Sequence, residues 1–370
     1  MRYKKKITVI SGIFYPDIGG PSTYLMKLLS DFTNYDLAEI TVITYGEDNA
    51  TYPFKVVKTS RSWPIIIRLF LFTIRCFIHG RKADIWFVND YGFPAVLANV
   101  FLRKKIILKV AGEFAWEFSQ RHGYVKNMGI NEFQSYRSSK VVNIVKFIQK
   151  FYASQANLIV TPSNCLKKII TGWGIDKDRV EVIHNAIDAE KYRSNLTKEE
   201  ARALFGIPKD KTILLTIARL LALKRIDDIL VRLQSLDDSY YYVIAGEGPE
   251  MANLKRITVQ LGIQNRAIFL GKVEHEDIPT LFKASDVFIL NSEHEGLPHV
   301  LLEAAAAGVP SLISDLEGSR EVVDRSASGI VLGDNFREDI KRSLDFKEVK
   351  LAKEFEWSYL FSRMKQVFEI

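Results

Sequence analysis

The chain is expected to fold as an α/β protein built from two doubly wound domains with parallel sheets. Three observations lead there. Short Val- and Ile-rich runs alternate with helix-period stretches along the whole sequence. Those runs are apolar throughout, as strands covered by helices on both faces require. And 370 residues exceed one typical domain.

In order, Ile7–Ile10, Ile40–Thr44, Ile85–Val88, Ile106–Val110 and Leu158–Val160 read as strands of a first sheet, with Val180–Ile183 near its end. The opening MRYKKKITVISGIFYP imitates a signal peptide. Its apolar run is short, however, and leads into Gly12, Pro16, Gly19 and Gly20 with no small-residue cleavage site, so a strand entering a glycine loop is expected. Residues 186–211 are polar and read as a linker with a short helix. Ile213–Ile217 opens a second sheet, continued by Tyr241–Ala245, Ile268–Leu270, Val287–Leu290 and Ser311–Ser314. Trp357, Leu360, Phe361, Met364, Val367 and Phe368 have the spacing of a one-sided helix. The expected division is 1–185 and 186–354, with a helix at about 355–370 crossing back onto the first domain. Ligands of such sheets bind outside the strand C-termini, so function is expected in a cleft that the two domains face.

Two cysteines, Cys76 and Cys165, exclude a disulfide framework and fit a reducing compartment. The net charge of +7 conceals an asymmetry: residues 1–170 hold 24 Lys and Arg against 11 Asp and Glu, or +13, whereas residues 171–370 hold 27 against 33, or −6. A basic front half points to an anionic partner. No zinc, helix-turn-helix or RNA-binding signature accompanies it, so nucleic acid is not the expected one.

The most informative stretch is NSEHEGLPHVLLEAAAAGVP, Asn291 to Pro310. Pro298 suits a first helical turn, Leu301 to Ala307 propagate the helix, and Gly308 and Pro310 end it. Glu295 then lies at the helix mouth and Glu303 within it. A helix N-terminus suits a diphosphate, and carboxylates beside it can accept hydrogen bonds from sugar hydroxyls. The alternative is an amphipathic helix whose glutamates face water. Arg219 and Lys224, in IARLLALKR after a strand, could neutralise a diphosphate or be plain surface charges. Gly19 and Gly20, Gly246 and Gly248, and Gly271 to Val273 each follow a strand and could bring backbone close to a ligand. The spacing is not that of a dinucleotide fingerprint. Asp227-Asp228 and Asp237-Asp238 are adjacent pairs, not an Asp-x-Asp metal dyad, so no metal site is expected.

Taken in order, YPDIGG, PSNCLKKI, VIHNAID, ARLLALKR, IAGEGPE and the two glutamates with seven residues between them resemble the retaining glycosyltransferases of family 4, with the two-domain GT-B fold. The resemblance implies a metal-independent hexosyltransferase that uses no cofactor and takes a UDP- or GDP-linked sugar as donor. It implies that Arg219 and Lys224 stabilise the leaving diphosphate, that Glu295 lies beside the donor sugar as a catalytic group, and that Glu303 binds the ribose hydroxyls. Gly19, Gly20, Gly246, Val273, Gly296 and Leu297 would contact the donor through backbone. Glu321, in SREVV, matches a recurrent acidic position. Many family members carry a His-Gly pair near the reacting sugar. Here LKVAGEFAWEF places Ala111 at the histidine, followed by Gly112 and Glu113, which become the acceptor-side candidates; His122 reads as structural.

Residues 61–82, RSWPIIIRLFLFTIRCFIHGRK, are apolar but broken by Arg68 and Arg75, which excludes a spanning helix. They read either as a buried cover helix with wet arginines or as a helix lying among anionic head groups, and SSKVVNIVKFIQKFYASQA has the same character. The expected setting is cytoplasmic, peripheral on the inner membrane face, transferring sugar to a lipid-linked (polyprenyl) or polysaccharide acceptor in cell-envelope synthesis. A scaffold that binds donor without turnover, or a GT-B epimerase or phosphorylase, are the alternatives.

Overall fold

The computed structural model describes residues 3–17, 20–126 and 128–370. They form two compact units, Met1–Ile183 with Phe361–Ile370, and His184–Leu360. Each is a wholly parallel sheet with helices on both faces.

The first sheet comprises β1 (Lys5–Ser11), β2 (Ala38–Tyr45), β3 (Lys55–Thr59), β4 (Ile85–Asn89), β5 (Lys105–Lys109), β6 (Leu158–Thr161) and β7 (Val180–Val182), in the order β3-β2-β1-β4-β5-β6-β7. Strand order reverses between β1 and β4, so the crevice available to a ligand opens outside their carboxyl ends. On one face Ile10, Trp86, Val88, Ile106 and Leu108 pack with Phe72 and Cys76 of the Ile65–Gly80 helix and with Tyr152 of the Lys140–Ser154 helix. On the other, Phe87 meets Phe368 edge-on at 5.1 Å, and Phe32 meets Phe361 and Phe368. The last residues of the Trp357–Phe368 helix therefore complete the first unit's core. Glu369 adds ion pairs to Lys5 at 2.5 Å and Lys105 at 2.6 Å, and Arg363 pairs with Glu181.

The second sheet comprises β8 (Thr212–Ile217), β9 (Tyr240–Ala245), β10 (Ala267–Gly271), β11 (Val287–Leu290), β12 (Ser311–Ile313) and β13 (Gly329–Val331), in the order β10-β9-β8-β11-β12-β13. Successive residues enter opposite cores: Ile213, Leu215, Phe288 and Leu290 face one way, Leu214, Val287 and Ile289 the other. This double burial is what makes the strand sequences apolar without alternation.

Two strands were not expected from the sequence, β3 and β13. Both are sheet edges, half-buried, so neither carries the continuous apolar run that marks a central strand. The linker reading of residues 186–211 also changes. Tyr192 and Ala201 are buried in the second unit's core. Arg202 is buried too, donating to the Ala284 carbonyl at 3.0 Å and pairing with Asp286 at 2.7 Å. The segment reads as polar because its few buried apolar residues are scattered among charged ones, one of which, Arg202, is itself buried. Its helix, Lys198–Leu204, starts with a capping box between Thr197 and Glu200.

The Ile65–Gly80 helix covers the sheet with one side and exposes apolar residues on the other. Phe72, Cys76 and Gly80 are buried, whereas Ile65, Ile66, Phe70 and Phe77 are exposed. It packs beside the Gly92–Leu102 helix, where Phe77 meets Phe101 at 6.4 Å, and that helix packs beside Lys140–Ser154. Val100, Phe101, Ile144 and Phe147 on these neighbours are exposed as well, Phe101 at 78%. Among the described residues no helix is long and apolar enough to cross a membrane.

Candidate functional site

The second sheet reverses order between β8 and β11, and the loops leaving these two strands carry Arg219, Lys224 and Glu295. The loops are fastened to each other. Glu293 N–H donates to the Leu223 carbonyl at 2.8 Å, and the Asn291 amide donates to the Arg225 carbonyl at 3.2 Å and to Asp228 at 2.9 Å. Asp228 thus holds the β11 loop. Within this frame Lys224 Nζ donates to Glu295 Oε1 at 2.5 Å, and Ser292 Oγ donates to the same oxygen at 2.6 Å. Both side chains are mostly buried. A carboxylate fixed by an ammonium and a hydroxyl is pre-aimed, leaving its other oxygen for a ligand. Arg219 is exposed, and its guanidinium makes no hydrogen bond or ion pair among the described residues.

The helix after β11 spans His299–Ala306, with Pro298 just before it and not inside its first turn. Leu297 is buried, and Gly296 is half-buried. Behind them the Glu317–Ser326 helix presents Gly318: a Cβ there would lie 2.2 Å from the Gly296 carbonyl oxygen and 2.7 Å from that of Glu295. Gly318 lets the Glu295–Gly296 backbone sit flush against the helix start. The sequence reading missed it; its only signal was a glycine in the first turn of a helix with no turn to make.

Glu303 accepts a hydrogen bond from Tyr192 at 3.1 Å, and Tyr192 lies 3.4 Å from His275 Nε2. Burial raises the Glu303 carboxyl above its usual range, against the lowering effect of the tyrosine bond. Tyr192 and His275 are further residues the sequence reading did not single out. Val273 packs its side chain against the core, so only its backbone is offered to a ligand. Gly246 has φ +131, and a Cβ there would lie 1.9 Å from the Ala218 carbonyl oxygen; one at Gly248 would lie 2.2 Å from that of Leu220. These glycines are required by the Arg219 loop passing over them. The Glu321 side chain is largely covered, 3.7 Å from His184 Nε2 and 3.9 Å from Arg325 Nε, so it joins VIHNAID to SREVV inside the unit.

In the first unit Gly20 opens the Gly20–Asn34 helix and is exposed; Gly19 lies outside the described residues. Glu113 is only 2% exposed and caps the Phe114–Arg121 helix by accepting from Trp116 N–H. Burial raises its carboxyl to about 7. Its Oε2 is taken by the helix start and Gln134 also bonds the carboxylate, so an acceptor-facing role has no support from this geometry. Gly112 sits where a Cβ would meet Glu117 Oε1 at 2.3 Å. Ala111 N–H donates to Asp90 Oδ1 at 2.9 Å, and burial raises Asp90 to about 6. Lys109, at the end of β5, is 4% exposed with Nζ 3.1 Å from the Tyr24 ring centroid. Burial lowers its ammonium to about 7. His122 stacks on Phe118 at 4.2 Å and bonds its carbonyl, a structural role.

Two parallel-sheet Rossmann-like units, the second carrying a cation–carboxylate pair at its switch point, define the GT-B class of sugar-transferring folds. The comparisons agree. The model for glycosyltransferase family 4 matches residues 18–191, and the model for glycosyl transferases group 1 matches residues 197–348. The chain belongs to this glycosyltransferase family. An uncharacterized glycosyltransferase of Methanocaldococcus jannaschii is 24% identical over 368 residues, covering 92% of this chain and 88% of that one. The Escherichia coli UDP-Gal:alpha-D-GlcNAc-diphosphoundecaprenol alpha-1,3-galactosyltransferase is 26% identical over 213 residues, 54% of this chain and 53% of that one. The match spans about half the length of this and another curated relative. Among solved structures, Anabaena HepE in complex with UDP superposes with a TM-score of 0.78 at 16% identity, covering 98% of this chain and 99% of that one.

Proposed function

We propose that the protein is a retaining glycosyltransferase that moves a sugar from a UDP- or GDP-linked donor to a lipid-linked or polysaccharide acceptor of the cell envelope. The observation that carries this reading is the Lys224–Glu295–Ser292 cluster beside the unpaired guanidinium of Arg219. The bond from the anomeric carbon to the diphosphate oxygen breaks with its electron pair leaving on the nucleotide. Arg219 and Lys224 neutralise that charge, which is the main contribution a protein makes to such a step. The acceptor hydroxyl attacks from the same face, and its proton passes to the departing phosphate. Glu295 orients the sugar hydroxyls, and Glu303, held by Tyr192, takes the ribose. Gly246, Val273, Gly296 and Leu297 contribute backbone contacts to the donor. In this reading the neutralising charge comes from side chains and not from a divalent cation, and no cofactor takes part.

The exposed Ile66, Phe70, Phe101 and Phe147, with the basic balance of the first unit, support an anionic membrane surface as its partner in this reading. The reading is tested by incubating the protein with a panel of nucleotide sugars, with and without membrane lipid extract, in the presence of chelator. Release of UDP or GDP from one donor, increased by the extract, is expected. Binding of a donor without release under any condition would overturn transfer in favour of a donor-binding scaffold, the reading that Ala111 favours.

A further inference from the structure

A second feature lies at the opposite end of the first sheet, where its strands begin. Lys6 of β1, Lys55 of β3, and His79, Arg81 and Lys82 at the end of the Ile65–Gly80 helix line a cavity of about 370 Å³. That volume is within the range of small-ligand sites, roughly 300–1,000 Å³. β1 is seven residues long, so about 20 Å of strand separates this cavity from the loops at the carboxyl ends. It is not part of the nucleotide-sugar site.

The lining is cationic beyond what the fold needs. Glu39 is its one acidic residue, and it pairs with Lys6 at 3.3 Å. Lys55, Arg81 and Lys82 have no ion-pair partner among the described residues. Cations after a helix C-terminus are favoured by the helix dipole, which accounts for Arg81 and Lys82. It does not account for Lys6 and Lys55, which come from strands. The His79 imidazole is held below its usual range, first by burial and then by Lys55, Arg75 and Arg81, which reports the same positive field. Like charges gathered around one cavity repel, and an anion seated among them would relieve that repulsion. Lysines and an arginine converging on a small volume suit a phosphate. Ile78 lines the same cavity and is exposed on the helix's outer apolar face. A phosphate held here would therefore have hydrocarbon beside it.

We infer that this cavity is a phosphate-binding site separate from the nucleotide-sugar site, and that its occupant is the phosphate of an anionic lipid head group. Only the lipid source rests on the membrane reading above; the phosphate site does not.

The test uses the full chain. One variant combines Lys55→Gln, Arg81→Gln and Lys82→Gln, all exposed positions. A control removes the same charge from exposed positions of the second unit, with Lys191→Gln, Lys209→Gln and Lys347→Gln. Binding is measured to inorganic phosphate by calorimetry, and to vesicles of phosphatidylcholine with and without phosphatidylglycerol by co-sedimentation. The cavity variant is expected to lose phosphate binding and to bind phosphatidylglycerol vesicles about a hundredfold more weakly, with the control near wild type. Loss of phosphate binding with unchanged vesicle binding would keep the site and overturn its lipid occupant. Equal behaviour of the two variants in both assays would overturn the site. A Phe70→Glu, Phe101→Glu variant separates the two readings: it should lose vesicles and retain inorganic phosphate.

Discussion

Gly318 offers a test in which the sign of the effect decides. At an ordinary helical position Gly→Ala stabilises a protein by about 0.5–1 kcal/mol, because alanine loses less backbone entropy on folding. Here the new methyl group would stand 2.2 Å from the Gly296 carbonyl oxygen, 2.7 Å from that of Glu295 and 2.8 Å from the Gly296 carbonyl carbon. All three are backbone atoms, so no side chain can swing aside. Contact distances near 3.5 Å require the loop to retreat by about 1 Å. Overpacking of this kind costs roughly 1–3 kcal/mol, which exceeds the helix gain. Gly318→Ala should therefore lower stability by about 1–2 kcal/mol. For a domain of this size that is a fall of roughly 2–8 °C in the second unit's Tm. The retreat also carries Glu295 away from Lys224, and a misplacement of about 1 Å can cost on the order of a hundredfold in rate. The assays are scanning calorimetry and donor turnover, with Gly262→Ala, a glycine with open space around it but φ +69, as a comparison in which backbone strain acts without a clash. A higher Tm with unchanged turnover for Gly318→Ala would refute the argument that this glycine seats the Glu295 loop.

Three further outcomes follow from the same geometry. Lys224→Met should lower donor turnover by roughly a hundred- to a thousandfold while leaving the protein folded, because it removes both a diphosphate cation and the group that fixes Glu295; steady-state kinetics with circular dichroism checks this. Glu303→Gln keeps the shape and the Tyr192 contact but weakens acceptance of ribose hydroxyls, so KM for the donor should rise about tenfold with kcat little changed. Lys109 has a folded pKa of about 7 against an ordinary value of 10.5, so between those limits the unfolded chain binds more protons and stability should climb with pH. Lys109→Met should flatten that climb and be the more stable protein near pH 7, measured by denaturant titration across the window; an identical slope in both proteins would show that Lys109 is not the titrating group.

Central strands were legible because double burial makes them continuously apolar, and the Lys224–Glu295 pairing was foreshadowed by placing each residue on a loop after a strand. What escaped had no one-dimensional signature. β3 and β13 are edges with only half their surface covered. Tyr192 sits in a segment whose apolar residues are sparse and set among charged ones, so it read as linker. Gly246 drew attention as a ligand glycine, yet its conformation is demanded by the Ala218 backbone above it. Glu113 looked available beside Ala111, and only the fold reveals that its carboxylate caps the following helix. Lys109 ends an otherwise ordinary strand, and nothing in the sequence says that its amine is roofed by Tyr24.

The return of the Trp357–Phe368 helix has a consequence for how the protein is made. Phe368 is fully buried against Phe32 and Phe87, residues translated far earlier. From Ile183, where the first unit's main segment ends, to Phe368 the ribosome must add 185 residues. At roughly 5–20 residues per second this takes about 10–40 s. During that interval the unit that emerges first must wait with an open apolar seam, while every strand of the second unit is already out. Synthesis order and folding order are thus inverted, and the first domain to be born is the last that can close.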